Sequence, residues 1–132
     1  MTDRGSVLPA VLGLALGGLL LIGVAMDLSR WASSHRQAAF AADAGAQAGA
    51  AVVSPEDLRV GEVVVDVGAA LPIAREAALS SRPRSDRVVA VTISGNQVCV
   101  TIEQPFASPL LGALGVIPGV VLGSSCAEPA RG

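Results

Sequence analysis

The chain has 132 residues, a formal net charge of −2, and hydrophobic residues at 52% of its positions. All nine basic residues are Arg, spread along the chain apart from Arg82, Arg84 and Arg87, and this pattern does not resemble the basic footprint of a nucleic-acid-binding protein. Only 2% of the residues are aromatic, so any core must be built from Val, Leu, Ile and Ala, which bury less area per residue.

Ser6 to Met26 is uncharged and Leu-rich. At 1.5 Å per residue it spans about 30 Å as a helix, the thickness of a bilayer's hydrocarbon core, which predicts a transmembrane helix over 6–26. The cysteine pair, which suits an oxidising compartment beyond the span, makes the short N-terminus, 1–5, cytoplasmic. Pro9 falls in the first turn, where backbone amides have no intrahelical acceptor to lose. Ala10, Gly13 and Gly17 form a small-residue face on which another helix can approach closely. A cleaved signal peptide is the rival, with Arg4 as its charged region and Gly23-Val24-Ala25 as its cleavage site. The uninterrupted length favours an anchor over that reading.

The helical pattern continues without proline to Val53 and stops at Ser54-Pro55. It predicts a stem over 27–53, in which Leu28, Ala32, His35, Ala39, Ala42, Ala46, Gly49 and Val53 follow the spacing of a coiled-coil seam. Ala42, Ala46 and Gly49 make that seam thin enough for close approach of another helix or a sheet. Arg36, Phe40, Asp43 and Gln47 form a different, mostly polar face. Trp31 lies about one turn beyond the span, where its amphipathic ring suits the headgroup layer.

Residues 54–132 read as one small extracytoplasmic α+β domain. Glu62 to Val67 alternates as a first strand, and Leu71 to Ser81 reads as a helix with Pro72 in its first turn. Arg82 to Arg87 reads as a solvated loop. Arg87 to Gln104 contains two alternating runs flanking Gly95-Asn96, the pattern of a two-residue hairpin turn with Gly first. That turn sets Ile93 opposite Val98, Val91 opposite Val100 and Val89 opposite Ile102, all on one face, and Thr92 opposite Cys99 on the other. Pro105 to Gly119 is an apolar connection whose Leu110–Ile117 stretch is too short to span a membrane; it caps the sheet as a short helix or offers an apolar patch to lipid or a partner. Gly119 to Ser125 then forms a closing strand that carries Cys126 towards the hairpin. A Cys99–Cys126 disulfide fits the need of a small core for a staple, and fits an oxidising compartment.

No constellation for chemistry stands out. His35 has no ligand partner at metal spacing, neither cysteine belongs to a CxxC or Cys/His set, the carboxylates are scattered, and no GxSxG elbow or phosphate loop is present. The sequence thus predicts no enzyme, no metal or other cofactor and no small-molecule substrate.

Asp27-Leu28-Ser29-Arg30, Arg36-Gln37, Ala41-Ala42-Asp43-Ala44 and Ala48-Gly49-Ala50 resemble the N-terminal signature of the Flp (Tad) pilus-assembly TadE/TadG-like family, with Asp27, Arg30 and Asp43 as its marker residues. Val98 to Ile102, Leu110 to Ile117 and Val120 to Ser124 resemble the family's strand, Leu-Gly stretch and closing strand. The resemblance implies a pilin-like fold and a short, pseudopilin-like component of a pilus or secretion assembly, with membrane lipid and other subunits as its partners. It also implies processing at Gly5-Ser6. Against that cleavage stands Ala10, at the position where pilin-like members carry Glu. A generic single-pass anchor and a secreted binding module are the alternative readings.

Overall fold

The computed structural model describes residues 7–81, 86–109, 112, 115 and 119–130. Its elements in chain order are α1 (Val7–Ala50), α2 (Pro55–Arg59), α3 (Val67–Ser80), β1 (Val88–Ser94), β2 (Gln97–Phe106) and β3 (Gly119–Ala127). The class is α+β, a long N-terminal helix followed by a small antiparallel sheet, as the sequence predicts.

α1 is one continuous helix of 44 residues. It stops at Ala50 rather than Val53, because the next residues enter a different pairing. The Val52 N–H turns back to Gly49 O at 3.1 Å, Ser54 N–H donates to Val64 O at 2.8 Å, and Asp66 N–H donates to Val52 O at 3.0 Å. Val53 and Val65 thereby form an isolated antiparallel bridge. This corrects the expected strand over Glu62 to Val67, which is held to the end of α1 by that single bridge and to the hairpin by one side chain. Asn96 Oδ1 accepts from Val65 N–H at 2.8 Å and its Nδ2 donates to Val63 O at 2.7 Å. The amide of Asn96 satisfies the backbone groups that a neighbouring strand would otherwise satisfy.

α2 was not anticipated; Ser54 caps it, its Oγ accepting from Asp57 N–H at 3.4 Å, and Pro55 opens it. α3 starts at Val67, four residues before the expected Leu71. Asp66 is the reason: its Oδ1 accepts from Gly68 N–H at 3.1 Å and from Ala69 N–H at 3.2 Å. Pro72 consequently sits in the second turn. It and Gly68 are both exposed, so the carbonyl that loses its partner is open to water.

The sheet has the order β1-β2-β3, antiparallel throughout. Its hairpin register agrees with the expected one, pairing Val89 with Ile102, Val91 with Val100, Thr92 with Cys99 and Ile93 with Val98. Gly95 has φ 59°, a conformation natural to glycine at the first turn position. β2 then pairs with β3, with Cys99 opposite Cys126. The Leu110–Ile117 stretch lies largely outside the described residues, as do Arg82 and Arg84 of the expected solvated loop.

α1 and α3 pack together over one face of the sheet. The core is almost entirely small: Ala38, Ala41, Ala42 and Ala46 of α1, Ala70, Ala74 and Ala78 of α3, and Val98, Val100 and Ile102 of β2. Alanine brings little apolar area, so such a core gains its cohesion from close backbone approach and many dispersion contacts.

Candidate functional site

The long helix is the site, and its two halves have opposite surroundings. From Val7 to Met26 the apolar side chains are exposed to whatever medium surrounds the protein; Leu14, for example, is 81% exposed. This makes it a candidate membrane span by length and composition. Ala10 is exposed, and a Cβ added at Gly13 or Gly17 would meet nothing within 4 Å among the described residues, so this small-residue face is free of the other described parts of the chain.

The second half is covered by the chain's own domain. The buried stripe runs through Ala38, Ala41, Ala42, Gly45, Ala46, Gly49 and Ala50. The expected seam coincides with it at Ala42, Ala46 and Gly49, but Leu28 and His35 are exposed and Ala32 and Ala39 only half-buried. The stripe lies on the same helix, rotated and confined to its outer end. Its partners are the sheet and α3.

Two glycines set that contact. A Cβ at Gly45 would lie 2.8 Å from Ala74 O and 2.9 Å from Ala78 Cβ; one at Gly49 would lie 2.9 Å from both Ala74 Cβ and Val98 Cγ1. Gly45 and Gly49 of α1 therefore face Ala70, Ala74 and Ala78 of α3, small residues four apart on both helices. Gly45 was not singled out from the sequence, although the Gly45-x-x-x-Gly49 spacing is legible there. On the sheet side, Gly123 of β3 lies against the helix backbone itself: a Cβ there would come within 2.5 Å of Ala39 N and 2.7 Å of Ala38 O. Glycine inside a strand is the signal for such an approach.

The signature residues have distinct places. Asp27 is buried and accepts a hydrogen bond from Ser108 Oγ, at the start of the β2–β3 connection. Asp43 is exposed, its Oδ1 accepting from Ser125 Oγ at 3.1 Å and its Oδ2 from Gln47 Nε2 at 2.8 Å. Both aspartates thus tie α1 to serines of the C-terminal half. Arg30 is exposed and lines a shallow groove with Gln37, Asp86 and Phe106. Gly5 and Ser6 lie outside the described residues.

Arg87 corrects the expectation of a solvated cation. It is 7% exposed; its Nη1 donates to Ala78 O at the end of α3 at 3.4 Å, and its Nη2 to Gln104 Oε1 at 3.1 Å. The Cys99–Cys126 disulfide is closed, with Cα atoms 4.0 Å apart across β2 and β3. Trp31 and His35 lie side by side on α1 with ring centroids 5.9 Å apart. Among the described residues no group of His, Cys, Asp and Glu is placed to hold a metal ion.

No curated protein and no solved structure matches the chain. Residues 5–52 match the family model described as "Putative Flp pilus-assembly TadE/G-like". That segment covers all of α1, with Asp27, Arg30 and Asp43, the residues that carry the resemblance. Over these residues the chain is similar to the Flp pilus-assembly TadE/G-like family.

Proposed function

We propose that the protein is a non-catalytic, membrane-anchored component of a Flp/Tad-type pilus or related secretion assembly, of minor-pilin or pseudopilin-like kind. The observation that carries this reading is the family match over residues 5–52, on a helix whose apolar first part, Val7 to Met26, has no buried residue and whose second half is fused to a folded domain. In this reading Val7 to Met26 crosses the membrane, the N-terminus is cytoplasmic, and the domain lies outside, where its disulfide is stable. The open Ala10, Gly13 and Gly17 face packs against the spans of other subunits. Since α1 beyond Ala38 is occupied by its own domain, subunit packing falls to the span and to the uncovered side of the stem.

Affinity capture of the full chain from native membranes tests the assignment. Recovery of pilus or secretion-assembly subunits is the expected result. Their absence, together with intact pili after deletion of the protein, overturns it.

A further inference from the structure

β3 runs along α1 in the same direction. Gly123 lies on Ala38 and Ala39, and Ser125 bonds Asp43. From Gly123 to Ser125 the strand advances about 6.6 Å, and the matching four helical residues advance about 6 Å, so the two axes are nearly parallel. Going back from Gly123 to Gly119 covers about 13 Å, or about nine helical residues, which sets Gly119 level with Arg30 and Val120 about half a turn further out.

The other end of the β2–β3 connection is fixed independently, because Ser108 bonds Asp27, the residue directly after the apolar run. Both ends of this connection therefore lie within about 9 Å of the end of the span, in the headgroup layer. Its surroundings suit that depth. Val120 is 62% exposed on the sheet face turned away from α1, and Leu28 and Trp31 of the stem are 60% and 49% exposed at the same level. No charged residue occurs between Glu103 and Glu128. Arg30, exposed beside this rim, places a cation where lipid phosphates lie.

We propose that the membrane-proximal rim of the domain, formed by Ser108, Pro109, Gly119 and Val120 beside Leu28 and Trp31, rests in the headgroup layer of the bilayer that α1 crosses. The chain then holds lipid twice, once through the span and once through this shallow contact. Two points of attachment restrict the tilt of the domain, where a single helix would leave it free. The inference rests on Val7 to Met26 being a membrane span.

Single-tryptophan variants of the full chain in phosphatidylcholine vesicles with brominated acyl chains test it. The native Trp31 is one probe; on a Trp31→Phe background, Val120→Trp, Ser124→Trp and Leu16→Trp supply the others. Disulfide closure in each variant confirms folding. Because position 120 lies at headgroup depth and position 124 about 13 Å further out, shallow bromines should cut the emission of the indole at 120 by about twofold and leave that at 124 unchanged. Equal, weak quenching at 120 and 124 with strong quenching at 16 overturns the rim contact alone. No quenching at 16 overturns the span and the rim together. An indole at 120 that is shielded from aqueous iodide but untouched by bromine shows a protein cover, and also overturns the inference.

Discussion

Ser125 Oγ donates a 3.1 Å hydrogen bond to Asp43 Oδ1, joining the closing strand to the long helix across 82 positions of sequence. With Ser108 on Asp27 it forms a pair of ties about 24 Å apart along α1, which hold the sheet parallel to the helix. The Asp43 tie is solvent-exposed, and its energetic worth is correspondingly small. Ser125→Ala should lower stability by about 0.5–1 kcal/mol, measured by denaturant unfolding in detergent. Its clearer effect should be faster amide exchange at the C-terminal end of β3.

Gly123 and the Gly13–Gly17 pair predict opposite outcomes for the same substitution. Ala at Gly123 would drive a Cβ into the backbone of Ala38 and Ala39, which cannot move without shifting the helix, and should cost about 2–4 kcal/mol. Ala at Gly13 or Gly17 meets open space and should change domain stability by less than about 0.5 kcal/mol. Replacing Gly13 and Gly17 together with Leu should abolish crosslinking to neighbouring spans while leaving membrane insertion intact. Unchanged crosslinking would remove this face from the assembly.

Opening the Cys99–Cys126 bond releases a 27-residue separation. The chain-entropy account gives a loss of roughly 3–4 kcal/mol. The core this bond supports is mostly alanine and valine, so the reduced protein should be cleaved by protease within the hairpin well before the oxidised one. Equal protease resistance in the two forms would show that packing alone holds β3 in place.

Arg87 and Gln104 should behave as a unit. Arg87→Met leaves the buried Gln104 Oε1 and Ala78 O without this donor and should cost about 2–4 kcal/mol. Gln104 Nε2 has no hydrogen-bond partner among the described residues, so the apolar double replacement, Arg87→Met with Gln104→Leu, should recover much of the loss. A double-mutant cycle in thermal unfolding measures that recovery.

Asn96 serves two roles, one in the turn and one as a side-chain bridge to Val63 and Val65. Asn96→Gly keeps the turn and removes the bridge. It should cost about 1–2 kcal/mol, with exchange quickening at Val65 and Asp66 before it does in the hairpin.

Elements governed by local periodicity were legible in the chain. The apolar run to Met26, the hairpin with its register about Gly95-Asn96, and the closing strand with its cysteine all depend on alternation or on run length, which one segment contains by itself. The resemblance also rests on local residues, Asp27, Arg30 and Asp43 on a single helix.

What lay beyond the sequence was each decision made by contact between distant segments. Glu62 to Val67 alternates like a strand, yet its backbone partners are Val52, Ser54 and the amide of Asn96, so it joins no sheet. Arg87 looked like part of a solvated basic loop until Ala78 O and Gln104 offered it a buried place. The stripe of α1 that packs on the sheet and α3 includes Ala42, Ala46 and Gly49 of the expected seam but also takes in Ala38, Ala41 and Gly45, since alanine is spread around the whole stem and periodicity cannot choose among alanines. Gly123, Gly45 and Gly49 make that choice: they let the strand and α3 approach the helix closely, and which glycines do so is decided when the three elements meet.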